Sequence, residues 1–117
     1  MHQFKELEIW KRSRLFCARI YQITTCFPSD EKFGLTNQLR RASVSIPSNI
    51  AEGSARNSNK DFARFLEIAI GSAYEIETQL LIPLDIGFIK TDELEKSVNE
   101  LNEIIKMISR FRSSLKI

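Results

Sequence analysis

A chain of 117 residues with a formal net charge of +2 fits one domain around one core, in which roughly 65% of the unfolded surface leaves water. Four Gly and three Pro leave little material for turns, and abundant Leu, Ile, Ala, Glu, Lys and Arg favour helix over strand. So small a net charge does not announce a nucleic-acid binder, and the longest apolar run, LLIPLDIGFI, is too short for a membrane span and is interrupted by Asp85.

The first helix is predicted from about Lys5 to Thr25, because Ile9, Phe16, Ile20, Ile23 and Phe27 recur at three- and four-residue steps with Ser13 in the missing place. Lys11, Arg12, Arg14 and Arg19 fall on its opposite, basic side. Trp10 lies at the margin of the apolar face, where packing is its expected role. Pro28 stops this helix, and Ser29 or Asp30 can cap the next one.

A second helix begins near Gly34 and lines up Leu35, Leu39, Ala42, Ile46 and Ile50, with Gly53 as its stop and SARNSN as a polar loop. Pro47 in its interior removes the bond to the Ser43 carbonyl, so a kink or local unwinding costing about 3 kcal/mol is expected there. Arg41, Ser45, Ser48 and Glu52 form a polar stripe with Asn49 beside it. Small residues of this kind suit a tight helix contact.

The third helix, from about Lys60 to Ile86, carries Phe62, Leu66, Ala69, Ala73, Ile76 and Leu80 at heptad spacing and ends at Gly87. Thr91 is the expected N-cap of a fourth, with Asp92 and Glu93 in its first turn. Leu94, Val98, Leu101, Ile105, Ile108 and Leu115 mark its inner face, while Lys106, Arg110, Arg112 and Lys116 complement the dipole of its last turns. Residues 1–117 therefore form a single all-α domain, an up-down-up-down antiparallel four-helix bundle.

Catalytic signatures are absent. A di-iron bundle needs paired Glu-x-x-His motifs, and the one histidine is His2 at an expectedly mobile terminus. Cys17, Cys26 and His2 make no four-ligand zinc set, and the two cysteines read as buried, reduced thiols. No phosphate loop or serine-nucleophile elbow occurs, and Glu75 and Glu77 point about 160° apart on a helix, which prevents paired carboxylate chemistry. No catalytic residue, metal or cofactor is expected. The segment MHQFKELEIWKR lacks an apolar targeting core, so a cytoplasmic location is expected.

GLTNQLRRASVSIPSNIAEG followed by FARFLEIAIGSAYEIETQL, with FKELEIWKRSRLF near the start, resembles the bacterial four-helix-bundle family named for open reading frames in intervening sequences of large-subunit ribosomal RNA genes. The resemblance covers essentially the whole chain. It implies a homopentameric ring and kinship with the accessory variability determinants of diversity-generating retroelements, which are similar bundles that bind nucleic acid and a reverse transcriptase. It implies no catalytic residue and no place in the ribosome.

Three sets of residues carry the functional expectations. Lys11, Arg12, Arg14 and Arg19, with Arg40 and Arg41 on the second helix and Arg56, Lys60 and Arg64 around the next junction, are the candidate phosphate contacts. RNA is the favoured partner; with no helix-turn-helix signature and no aromatic stacking platform with interleaved basic residues visible, binding is expected through backbone phosphates, mostly independent of sequence and strongly weakened by salt. Leu15, Val44, Ile68, Ile82 and Ile86 fall outside the core stripes and suggest a subunit interface. Glu77 projects into an apolar sector and calls for a buried ion-pair partner, Arg40 or Arg41, from the same protomer or the next. The rival reading is a protein-interaction scaffold whose positive residues serve only solubility and pairing.

Overall fold

In the computed structural model, which describes residues 2–117, four long helices follow one another: α1 (Glu8–Thr25), α2 (Leu35–Ser54), α3 (Asn59–Asp85) and α4 (Thr91–Ser114). Short 3-10 turns at Phe4–Glu6 and Ser29–Glu31 precede α1 and α2, and no strand occurs among the described residues. Side chains that meet across the helices fix the antiparallel order. Cys17 and Arg40 reach from α1 to α2 and back, to Ser43 and Thr24; Ser45 and Gln38 of α2 meet Ser72 and Gln79 of α3; Glu67 of α3 pairs with Arg112 of α4. The molecule measures 45 × 24 × 20 Å, and its long axis matches the roughly 40 Å that α3 spans at 1.5 Å per residue.

Each helix turns its apolar stripe inward, as the spacing predicts. Phe16 and Ile20, Leu39, Ile46 and Ile50, Leu66, Ile76 and Leu80, and Leu101 and Ile108 are fully enclosed. Burying each such side chain stabilises the fold by about 1.5–3 kcal/mol before the cost of ordering the chain. The α2–α3 pair is in closest contact, and small residues make that possible. Ser45 Oγ lies 2.9 Å from Ser72 Oγ across the seam, and Asn49 Nδ2 donates back to the Ser45 carbonyl at 2.8 Å.

Several local expectations give way to packing. Gly53 is not a stop: α2 continues to Ser54, and a Cβ on Gly53 would sit 2.6 Å from Phe65 Cβ and 2.9 Å from Phe62 Cδ1. Its lack of a side chain admits the start of α3. Helix α2 runs through Pro47 without the local unwinding expected there, and Ile46 and Ile50 beside it are buried in the core. Thr91 is the first helical residue of α4 and Lys90 its cap, without a side-chain bond.

The first predicted helix is broken at Leu7, whose extended backbone (φ −75°, ψ 128°) joins the Phe4–Glu6 turn to α1. Leu7 packs on the core, and the break folds the N-terminal segment over one end of the bundle. His2 is therefore packed rather than loose: its amide donates to the Ser54 carbonyl at 3.3 Å, and its ring lies 5.0 Å from Phe62 and 5.7 Å from Phe111.

The stop at Gly87 does hold. It has φ +85°, its N–H donates to the Leu84 carbonyl and the Phe88 N–H to that of Pro83 at 2.8 Å, the paired bonds of a Schellman ending. Both thiols are free, but only Cys17 is half-buried. Cys26 caps the end of α1 and is exposed, contrary to the expectation of two buried thiols.

Candidate nucleic-acid interface

The antiparallel order decides which charges become neighbours. Cys17–Ser43 and Ser45–Ser72 mark the waist of the bundle, and the Arg12–Met107 and Arg19–Glu100 contacts put Asn102 of α4 at the same level. One side of the waist comprises residues 2–16, 46–71 and 103–117. It holds Lys5, Lys11, Arg12, Arg14, Arg56, Lys60, Arg64, Lys106, Arg110, Arg112 and Lys116, eleven cations against the six carboxylates of Glu6, Glu8, Glu52, Asp61, Glu67 and Glu103. The other side holds six cations against nine carboxylates. Formal charge thus divides into +5 and −3 along the long axis, within a total of +2.

Six of the nine expected phosphate contacts lie at the basic end: Lys11, Arg12, Arg14, Arg56, Lys60 and Arg64. There, four cations are paired with carboxylates: Lys11 with Glu8 at 3.5 Å, Arg56 with Glu52 at 3.3 Å, Arg64 with Asp61 at 3.6 Å, and Arg112 with Glu67. Lys5, Arg12, Arg14, Lys60, Lys106, Arg110 and Lys116 have no carboxylate partner among the described residues. Arg12 instead lies across the α1–α4 seam with Nη1 3.7 Å from Met107 Sδ.

The remaining three lie at the acidic end. Arg19 is engaged by Glu100 at 2.9 Å and Glu93 at 3.4 Å, which ties α1 to α4. Arg40 donates from Nε to Thr24 Oγ1 at 2.9 Å and lies 4.6 Å from the centre of the Tyr21 ring. Arg41 is exposed beside an α2–α3 depression that Ser45, Ser72 and Glu75 also line. These three and the six at the other end do not make one surface.

The lysines and arginines of the last turns of α4 are the members of the basic end that the linear sequence hides. As a string they fit a dipole-complementing role, and only the return of α4 beside α1 and the α2–α3 junction makes them part of a larger patch. Asn59 Nδ2 at the start of α3 donates to the Lys116 carbonyl at 3.0 Å, which fastens that junction.

Glu77 finds no ion-pair partner among the described residues. It is half-buried on α3, about 140–160° around the helix from Ser72 and Gln79, the residues that meet α2. Arg40 and Arg41 are on α2, and Arg40 is already committed to Thr24 and Tyr21. A buried pair inside one protomer is therefore excluded by the direction in which Glu77 projects.

Leu15, Val44, Ile68, Ile82 and Ile86 are all exposed, by 41% to 66%. Ile68 and Ile82, with Ile86 at the C-cap, share one face of α3 within about 40°, while Leu15 lies about 160° around α1 from Cys17, which meets α2, and Val44 is exposed on α2. Tyr74 and Leu81 are further exposed apolar residues on another flank of α3, and Phe33 is 85% exposed in the α1–α2 connection. Among the described residues no three His, Cys, Asp or Glu side chains are grouped to hold a metal, and no helix is long and apolar enough to cross a membrane.

Comparison with known proteins agrees with this architecture. The structure resembles a crystallised protein of unknown function from the S23 ribosomal protein family of Bacteroides thetaiotaomicron, with a TM-score of 0.83, 27% identity and coverage of 91% of this chain and 96% of that one. No curated protein is detectably similar in sequence. The family model described as 23S rRNA-intervening sequence protein matches residues 5–110. A chain matched over nearly its whole length, and folded like an S23-family relative, belongs to the family of 23S rRNA-intervening sequence proteins.

Proposed function

We propose that this protein is a non-catalytic, self-assembling helical bundle that binds RNA through the backbone phosphates, with the basic end as its contact surface. The observation that carries the reading is the segregation of charge along the long axis. Over a molecule 45 Å long, with a screening length of about 8 Å at physiological salt, an approaching polyanion responds to the near end and not to the net charge. Six of the seven cations there without a carboxylate partner, all but the half-buried Arg12, are exposed and available to replace counterions on phosphate. Backbone phosphate is common to RNA and DNA; RNA is the partner proposed, and DNA strands of the same length test that choice.

Assembly strengthens the same reading. A ring of copies repeats the basic end around an axis and turns a modest patch into a continuous one. The exposed residues Leu15, Val44, Ile68, Ile82 and Ile86 supply apolar surface for subunit contact, and the count of five is the one that the family resemblance implies. Those exposed apolar residues are also the observation that favours the second reading, a protein-interaction scaffold without nucleic acid.

Titration of labelled single-stranded and structured RNA at several salt concentrations tests the proposal. The affinity is expected to fall with salt at a log–log slope of about −0.7 to −0.9 per phosphate contacted. Absence of binding even in dilute buffer leaves the scaffold reading. Light scattering after gel filtration gives the subunit count, and a monomer overturns the assembly half of the proposal.

A further inference from the structure

Three arginines lie over aromatic rings in this protein: Arg14 over Trp10 at 5.4 Å, Arg40 over Tyr21 at 4.6 Å and Arg56 over Phe65 at 4.8 Å. Two of the three are anchored. Arg40 is hydrogen-bonded to Thr24, and Arg56 is paired with Glu52. Arg14 has neither a hydrogen bond nor an ion pair among the described residues, so stacking alone holds its guanidinium on the indole.

The indole itself is fixed. Trp10 packs against the core, and the Phe4 ring meets it edge-on at 5.2 Å. Two adjoining open depressions of ≈ 710 Å³ and ≈ 480 Å³ share Trp10, Lys11 and Arg14 in their walls. Lys5 lines the first, Leu15 and Ala18 the second, and no carboxylate lines either. Glu8 touches the rim through its exposed contact with Lys11 at 3.5 Å. A rigid π-face covered by a removable cation, with two more cations beside it, is the arrangement that takes up an unpaired base and its flanking phosphates.

We infer that Trp10 and Arg14 form a stacking site for one unpaired nucleobase, with Lys5 and Lys11 on the adjacent phosphates, so that the protein prefers single-stranded to duplex nucleic acid. The inference rests on the nucleic-acid reading above and adds the class of strand. A base in a duplex has both faces occupied by its neighbours and gains nothing from the indole. An unpaired base slides between indole and guanidinium, or displaces the latter towards phosphate.

Trp10 is the one tryptophan of the chain, so its fluorescence reports this site alone. The wild-type protein is titrated with a short oligouridylate and with a duplex of matched length, following Trp10 emission and the anisotropy of labelled strands in parallel. The expected result is saturable quenching by the single strand, little quenching by the duplex, and tighter binding of the single strand. Trp10→Leu keeps apolar bulk and removes the π-face. It is expected to weaken single-strand binding about 5- to 100-fold and duplex binding less than about twofold, with Trp10→Phe recovering part of the loss; Lys60→Gln is expected to weaken both strands alike. Strands that bind by anisotropy without quenching Trp10, or that lose no affinity in a Trp10→Leu variant with an unchanged melting curve, overturn the stacking site and leave phosphate binding intact. Binding of neither strand overturns both readings. An emission change on diluting the protein alone assigns Trp10 to a subunit contact and overturns the site.

Discussion

The two ends of the bundle use arginine differently. At the acidic end Arg19 spans Glu93 and Glu100, and Arg40 is held by Thr24 and the Tyr21 ring, so both are fasteners between helices. At the basic end Arg14 and Arg110 have no carboxylate partner, and most lysines there stand alone too. The difference is one of proportion: Arg12, Arg14 and Arg110 of the basic end are left without a carboxylate while Arg56, Arg64 and Arg112 are paired, and at the acidic end only the exposed Arg41 is neither paired nor bonded among the described residues. Because partially exposed ion pairs contribute only about 0–1 kcal/mol each, the fold gives up little by leaving so many cations unpaired.

The comparison is broken most directly by reversing charge at one end at a time. Lys60→Glu, Lys106→Glu and Arg110→Glu together are expected to weaken RNA binding by more than about a hundredfold at physiological salt, since each lost phosphate contact is worth about fivefold there. The control is Lys32→Glu, Lys90→Glu and Lys96→Glu at the acidic end, expected to change affinity by less than about twofold. Equal losses from the two triples in an anisotropy titration would deny that the ends differ.

Packing offers a second contrast. Gly53→Val drives two methyl groups towards Phe62 and Phe65 and is expected to cost about 3 kcal/mol or more in a urea melt. Gly71→Ala, with nothing within 4 Å of the added Cβ, is expected to stabilise by up to about 1 kcal/mol. Arg19→Met, which removes the fastener at the acidic end, is expected to cost about 1 kcal/mol at low salt, a difference from the wild type that shrinks in high salt because screening weakens the wild-type pair, while leaving RNA affinity unchanged. The smallest effect expected is from Ser97→Ala: the hydroxyl is fully buried without a hydrogen-bond partner, and its removal stabilises by a few tenths to about 1 kcal/mol in the same melt.

What is legible in the sequence is what depends on one helix at a time. The stripes of Phe16 and Ile20, Leu39 and Ile46, Leu66 and Ile76, and Leu101 and Ile108 all face inward as their spacing requires. The turn at Gly87 follows from its own φ. Gly53 passes for a helix stop in the string because its role depends on Phe62 and Phe65, beyond the next loop. Leu7 passes for helical because an apolar residue at helical spacing carries no sign of an extended backbone. Pairing Glu77 with Arg40 or Arg41 inside one protomer assumes a facing helix that its direction denies. The basic end is half visible: the α1 and junction residues stand out in the string, but their joining with Lys106, Arg110 and Lys116 is a property of the closed bundle.

Because neighbouring helices run in opposite directions, their backbone dipoles largely cancel along the shared axis. The scaffold therefore carries little net dipole, and the polarity of the molecule is written mainly in solvent-facing side chains. Such a polarity can be erased, inverted or sharpened by surface replacements that never touch the core, so relatives with the same backbone are free to present opposite signs to their surroundings.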